Sequence, residues 1–307
     1  MITRDRERFL EVAMRCAPDV GPATARGAFL VTPEGFARAE QSAEDNRYMA
    51  DAAGYDADAA LAAHRRLQAA LATCLPVVAF PGDAATPDAT FPNNAFATAR
   101  VAGRGRLIVG RMRHEVRQRE TRRADIRGFF GDVLGYETVD LSTQAHACEL
   151  PGALVIDRAR GLGFAGLSER CDEDGARRMH EAFGLRATFV FDLAPGEYHT
   201  NVVLAVLAGR AMLYAPGGFA DADDAHAIAR LYAPHAFALS PEEAAAFVAN
   251  SIALDPQRVW MSARAASALR EGTRAGLARA GFSVQSVDLD AIEAAGGSLR
   301  CCVAEIF

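Results

Sequence analysis

Covalent chemistry is within reach of the last residues of the sequence. Gly296-Gly297-Ser298-Leu299-Arg300-Cys301-Cys302 runs into Val303 to Phe307. A thiolate is the attacking form of cysteine, and a cation beside a thiol favours it, so Cys301 is expected to carry a pKa lowered by Arg300 or by a bound cationic substrate. Upstream, Cys148-Glu149-Leu150-Pro151-Gly152 offers a carboxylate and Tyr198-His199-Thr200-Asn201 an imidazole. A thiol that attacks, an imidazole that moves protons and a carboxylate that holds a positive group suit nucleophilic catalysis on a cationic substrate. Phe91-Pro92-Asn93-Asn94 is the fourth stretch of interest. Each has a plainer reading: small core thiols, a solvated loop carboxylate, a hydrogen-bonded structural histidine, an Asn-Asn turn.

Elements that would position these groups follow from hydrophobic periodicity. Helices are expected over Asp5 to Arg15, Ala57 to Cys74, Ile126 to Leu134, Asp174 to Phe183, Asp221 to Tyr232, Pro241 to Ala249 and Ala263 to Ala275. Strands are expected over Ala28 to Thr32, Pro76 to Phe80, Leu107 to Gly110, Ala187 to Phe191, Arg258 to Met261 and Phe282 to Val287. Hairpins are expected from Ala153 to Phe164 and from Val202 to Ala215, and a last strand over Cys301 to Phe307. Neighbours on a strand point to opposite faces, so Cys301 and Cys302 should diverge. The rhythm of strand, hairpin and helix suggests several small sheets repeated around one centre, with no sequence repeat to mark it. No linker divides the chain, and 1–307 reads as a single α/β domain.

Composition excludes several chemistries. All 33 basic residues are arginine. A Schiff-base lysine, a pyridoxal-phosphate anchor and a Walker lysine are therefore impossible. The net charge of -6 argues against nucleic acid as a partner. Six scattered cysteines without a CxxC pair fit neither a disulfide scaffold nor a structural zinc site. His146, Cys148 and His199 lack zinc spacing, so no metal and no cofactor is expected. The first sixteen residues are too charged for a signal peptide, and no apolar run reaches membrane length, so a cytoplasmic location is expected.

Taken together, Phe91 to Asn94, Glu149 before an apolar run ending at Asp157, Tyr198 to Val202, and Gly296 to Ile306 resemble the guanidino-group-modifying, or pentein, superfamily. Its members include arginine deiminases, dimethylarginine dimethylaminohydrolases, amidinotransferases and succinylarginine dihydrolase. The likeness is strongest to the amidinotransferase-like branch with its citrulline-utilising hydrolases, and it extends from about Val31 to the end of the sequence. It implies a five-bladed α/β propeller with a central active site. It implies a cysteine-dependent hydrolase acting on a guanidino or ureido C–N bond through a covalent adduct. Cys301 would be the nucleophile, His199 the proton carrier and Glu149 the group that orients substrate. Asn94 and Asn201 would give neutral hydrogen bonds, and one of Arg113, Arg117 and Arg119 would hold a substrate carboxylate, with Arg113 first. Leu150 stands where the family has glycine, and Asn94 and Asn201 stand where deiminases have aspartate, which argues against a plain arginine deiminase. Two other readings are an amidinotransferase, in which an amine replaces water, and a non-catalytic binding pentein. The partner expected is a small guanidino or ureido molecule, with a homodimer as a possible assembly.

Overall fold

One strand-helix-strand rhythm recurs through the computed structural model, which describes residues 1–307. The strands are β1 (Ile2–Thr3), β2 (Gly27–Val31), β3 (Val77–Phe80), β4 (Phe96–Val101), β5 (Arg104–Val109), β6 (Glu137–Asp140), β7 (Leu154–Asp157), β8 (Leu162–Leu167), β9 (Ala187–Asp192), β10 (Leu204–Leu207), β11 (Ala211–Tyr214), β12 (Ala236–Ala238), β13 (Arg258–Ser262), β14 (Ser283–Val287) and β15 (Ala304–Ile306). They form five small sheets: β1-β9-β8-β7, β4-β5-β6, β10-β11-β12, β13-β14 and β15-β2-β3. Four of these share one pattern. The first strand pairs antiparallel with the second, and the second pairs parallel with a third after a helical crossover, which parallel neighbours require. In β15-β2-β3 the first strand comes from the far end of the sequence. The β13-β14 sheet is a parallel pair, with an antiparallel bridge from Ile252 to Trp260 in place of a first strand. The repeat lies in hydrogen-bond pattern rather than in residue identity.

Four strands are each preceded by one helical turn, which at Val202 and Cys301 takes the place of an expected strand start. Pro92–Asn94 precedes β4, Leu150–Ala153 precedes β7, Thr200–Val203 precedes β10 and Leu299–Cys302 precedes β15. The expected strand over Cys301 to Phe307 is thus shortened to Ala304–Ile306, and the alternation argument for the two cysteines fails. The helix expected over Ala263 to Ala275 breaks into Ala263–Ala268 and Glu271–Arg279. Leu269 is extended in ψ at 121°, and buried Glu243 takes the backbone N–H and Nε of Arg270 instead.

Apolar packing lies between sheets and outer helices. Phe9 stacks on Phe189 at 5.3 Å and meets Phe164 edge-on at 5.8 Å, pinning the N-terminal helix Arg6–Ala13 to the β7-β8-β9 sheet. Each such buried ring is worth about 1.5–3 kcal/mol relative to exposure. The centre of the molecule is the opposite: Asp88, Asn94, Arg117, Glu149, Arg170, His199, Asn201 and Asn250 are all buried there or beside it. Buried polar groups are costly unless paired, so this concentration is the feature that calls for a functional account. No helix is long and apolar enough to cross a membrane.

Candidate active site

The helical turns meet one another. The turn at Leu150–Ala153 packs on those at Pro92–Asn94 and Thr200–Val203, and the turn at Leu299–Cys302 packs on Pro92–Asn94. Gly152 is what allows this approach. A β-carbon there would stand 2.6 Å from Asn94 Oδ1 and 2.8 Å from His199 Cε1. Leu150, by contrast, has φ +32°, in the left-handed region that favours glycine. Its side chain is fully buried over Gly110, so packing holds a strained backbone directly after Glu149.

Glu149 has no solvent exposure, and both of its oxygens are engaged. Oε1 accepts the backbone N–H of Arg113 at 3.0 Å, and Oε2 faces His199 Nε2 at 2.9 Å. The guanidinium groups of Arg170 and Arg117 stand 3.6 and 3.9 Å from Oε2. Burial raises the carboxyl's pKa, but the Arg170 charge, the His199 hydrogen bond and the Arg117 charge outweigh it and hold the group well below the carboxylate range. Burial pulls His199 down to about 4 against the opposing pull of Glu149. A neutral imidazole facing a carboxylate must carry its proton on Nε2, which leaves Nδ1 as the free basic nitrogen. Nδ1 is buried and meets no partner.

Cys301 sits on the last helical turn with 1% of its surface exposed. Asn250 Nδ2 is 3.2 Å from its Sγ, Asn201 Oδ1 is 3.9 Å away, and Asn250 Oδ1 accepts the Cys301 N–H at 3.4 Å. Arg300 by itself does not give the expected lowered pKa: burial pushes the thiol up, and the Asn250 hydrogen bond and the Arg300 and Arg117 charges offset that only in part. Cys302 is also buried, and its thiol donates to the Ser298 carbonyl at 3.5 Å.

A narrow cavity opens onto Cys301, lined also by Asp88, Asn94, Arg117, Arg170 and Tyr198. Asp88 Oδ1 and Asn94 Oδ1 are buried acceptors without partners. Burial raises the Asp88 carboxyl, with Arg117 pulling the other way. Arg117 is locked in a two-pronged pair with Glu120 at 2.8 and 2.9 Å, and burial raises Glu120 to about 7 despite it. Arg170 holds Asp45 and the Ser42 carbonyl and lies over the Tyr198 ring at 4.8 Å. The Tyr198 hydroxyl donates to the Gly296 carbonyl at 2.5 Å, tying the histidine segment to the loop before Cys301.

Of the residues singled out in the sequence, Glu149 and His199 are bonded to each other, Cys301 and Asn94 line one cavity, and Asn201 stands beside the thiol. Arg113 is placed differently. Its guanidinium is 42% exposed and pairs with Asp45 and Glu169, and only its backbone reaches Glu149. Arg119 is exposed, so Arg117 is the one of the three at the cavity. His146 turns to Asp172, and no group of three or more His, Cys, Asp or Glu is placed to hold a metal. Sequence reasoning missed Asp88, Arg170 and Asn250, and gave Tyr198 no role of its own. Asp88 lies six residues before Asn94 in a stretch dense in turn formers, and Tyr198 adjoins His199. Nothing in the sequence marks Arg170 or Asn250 as buried.

The family model described as "N,N dimethylarginine dimethylhydrolase, eukaryotic" matches residues 32–307. The N(G),N(G)-dimethylarginine dimethylaminohydrolase of Mycobacterium tuberculosis (strain ATCC 25618 / H37Rv) is 30% identical over 173 residues, 56% of this chain and 53% of that protein. The match thus spans about half the length of that curated relative. Among solved structures, the substrate-bound N-terminal domain of ArgZ, an arginine dihydrolase of Cyanobacteria, superposes with a TM-score of 0.78 at 20% identity, covering 91% of this chain and 97% of that one. A dimethylarginine dimethylaminohydrolase in an adduct with S-methyl-L-thiocitrulline superposes with a TM-score of 0.68 at 22% identity, over 92% and 99% of the two chains. These likenesses fix a mixed α/β fold of small sheets, and the match over residues 32–307 places the chain in the N,N-dimethylarginine dimethylhydrolase family of the guanidino-group-modifying, or pentein, superfamily.

Proposed function

We propose that this protein is a hydrolase that cleaves a C–N bond of a guanidino compound through a covalent Cys301 adduct. The observation that carries the reading is the cavity itself: a thiol stands among two unpartnered buried acceptors, Asp88 Oδ1 and Asn94 Oδ1. A guanidinium is planar, cationic and rich in N–H donors, and it satisfies both acceptors while offering its central carbon to sulfur. Acceptors left empty reject ligands that lack those donors.

Cys301 attacks the central carbon, and the thiol proton passes to the open Nδ1 of His199. The same proton goes to the departing nitrogen as the C–N bond breaks, leaving a carbon–sulfur adduct. His199 then accepts a proton from water as it attacks, and the C–S bond breaks with return of the thiol. Glu149 keeps the imidazole in the tautomer with Nε2 protonated, and stabilises its charged form when it holds two protons. In this reading Asp88, rather than Glu149, holds the substrate's positive group, since Asp88 lines the cavity with an unpartnered oxygen while both Glu149 oxygens are engaged. The raised thiol pKa fits this order of events, because a bound cation is what makes the thiolate favourable. The five sheets would be five blades of one unit over 1–307, with the site where their helical turns meet.

Arginine and methylated arginines, acted on by the relatives according to their names, lead the list of substrates to try. The test is turnover of arginine, methylated arginines, agmatine, succinylarginine and citrulline, read as released ammonia, amine, citrulline and ornithine. Hydrolysis of a guanidino compound that disappears in Cys301→Ser and falls at least about a hundredfold in Asp88→Asn is the expected result. Turnover surviving in Cys301→Ser overturns the covalent route.

A further inference from the structure

A second, small recess shares no lining residue with the substrate cavity. Its walls come from β7 and β10, and its polar residues are Arg158, Asn201, Ser251, Arg300 and Glu305. Asn201 connects the two sides. Its Oδ1 faces Cys301 Sγ and Asn250, so its Nδ2 lies on the other edge of the same planar amide. That Nδ2 is buried and has no partner, and neither has the Ser251 hydroxyl. Asn201 and Ser251 are 1% and 2% exposed, so solvent does not satisfy these atoms.

Charge in the recess is uneven. Arg300 pairs with Glu305 at 2.9 Å and donates to the Val303 carbonyl. Arg158 has only the Thr98 carbonyl at 3.1 Å and two aromatic faces, Phe307 at 4.3 Å and Phe183 at 5.1 Å. No carboxylate pairs with it directly, and Glu305 is already taken by Arg300. Burial lowers its pKa to about 10, the mark of a cation short of a counter-charge. Two guanidinium groups against one carboxylate leave one positive charge. Two orphan groups that can donate hydrogen bonds, Asn201 Nδ2 and Ser251 Oγ, line the same space.

We propose that this recess binds a small oxyanion, a carboxylate or a phosphate, between Arg158 and Arg300, with Ser251 Oγ and Asn201 Nδ2 as further donors. A planar or tetrahedral oxyanion uses the fork geometry of guanidinium groups and fills donors that are otherwise costly to bury. The ligand lies on the far side of Asn201 from the thiol, so it is distinct from any substrate carboxylate in the cavity at Cys301. This assignment does not depend on the catalytic reading.

The test uses the full chain, with inorganic phosphate and acetate titrated calorimetrically, and crystals soaked in selenate for anomalous diffraction. Expected are saturable binding of at least one anion and a selenate peak between Arg158 and Arg300. Arg158→Met should weaken binding about tenfold or more and Ser251→Ala by a few fold. Tighter binding of phosphate than acetate names a phosphate ligand, and the reverse a carboxylate. Because Arg158 packs on two rings, thermal unfolding of each variant accompanies the titration, and Ser251→Ala decides if Arg158→Met fails to fold. Absence of saturable binding, unchanged affinity in Ser251→Ala, or selenate found only at Arg117 and Arg170 overturns the proposal.

Discussion

His199 Nε2 lies 2.9 Å from Glu149 Oε2, with neither side chain reaching solvent. The carboxylate is the one that stays charged, because Arg170 and Arg117 face it, while burial keeps the imidazole neutral. A single ionised group is thus embedded among cations and a neutral donor. Removing it would free the ring and leave Arg170 with Asp45 as its one carboxylate partner, so the pair bears on stability as well as on the proposed chemistry.

Stability should fall in acid, and the sign follows from both groups. His199 binds its proton at about 4 when folded and near its ordinary 6.5 when unfolded. Its stabilising contribution is therefore fully present above 6.5 and lost as the pH falls toward 4. Glu149 is held below its ordinary value, so its contribution is present above that value and lost as the pH falls through the lower folded one. Buried His64 is lowered to about 4 as well, so urea unfolding from pH 8 to about pH 4 should show a decline beginning near 6.5 that is made shallower, not abolished, in His199→Gln. An unchanged slope in that variant would remove His199 as the cause. Glu149→Gln should lose turnover by about a hundredfold or more and about 1–3 kcal/mol of stability, because a buried charge-assisted hydrogen bond to His199 is weakened while Arg170 and Arg117 keep Asp45 and Glu120.

The two adjacent thiols should separate by reactivity. Cys301 lines the cavity and Cys302 does not. Burial raises both, Cys302 the further, so iodoacetamide should react slowly at neutral pH and faster as the pH rises, and first at Cys301. Substrate should protect that position. Cys302→Ala should retain turnover and cost about 1 kcal/mol from the small void. Peptide mapping that finds label on Cys302 while Cys301→Ala still turns over would reassign the nucleophile.

The sequence carried the hairpins and the crossover helices, because apolar alternation and turn residues are local signals. Both expected hairpins, around Arg158 to Arg160 and around Gly209, are present. It did not carry the helical turns before β4, β7, β10 and β15. Each is one turn long, too short for periodicity, and their formation depends on the neighbouring turns they pack against. The same limit explains the cysteine argument, which assumed a strand where a helical turn stands. Asp88 and Arg170 were illegible for another reason. A charged residue reads as solvated until the fold buries it, and here the burial comes from segments far apart in sequence.

Gly152 should tolerate no side chain. In Gly152→Ala the added carbon meets Asn94 Oδ1 at 2.6 Å and the His199 ring at 2.8 Å, both below real contact distances. Neither neighbour is the free end of a flexible chain, so the turns must move apart. The expected cost is about 1–3 kcal/mol with a loss of turnover larger than that stability change explains at assay temperature. A fully active, fully stable alanine variant would show that Asn94 and His199 do not close tightly on Gly152.

Leu150 supplies the sharpest test, because two substitutions there should reverse their usual order. The residue combines φ +32° with a fully buried side chain. Leu150→Ala removes the buried methyl groups, at about 2–5 kcal/mol, and keeps a β-carbon in the left-handed region. Leu150→Gly removes the same groups and that β-carbon, recovering about 1–2 kcal/mol of backbone strain. Elsewhere glycine is the costlier of the two through its extra unfolded-state entropy, by up to about 1 kcal/mol. Here Leu150→Gly should be as stable as Leu150→Ala or more so in urea unfolding, and nearer wild type in turnover, since Glu149 directly precedes it. If the alanine variant is the more stable by a full kilocalorie per mole, the left-handed backbone stores no strain and Leu150 is retained for packing alone.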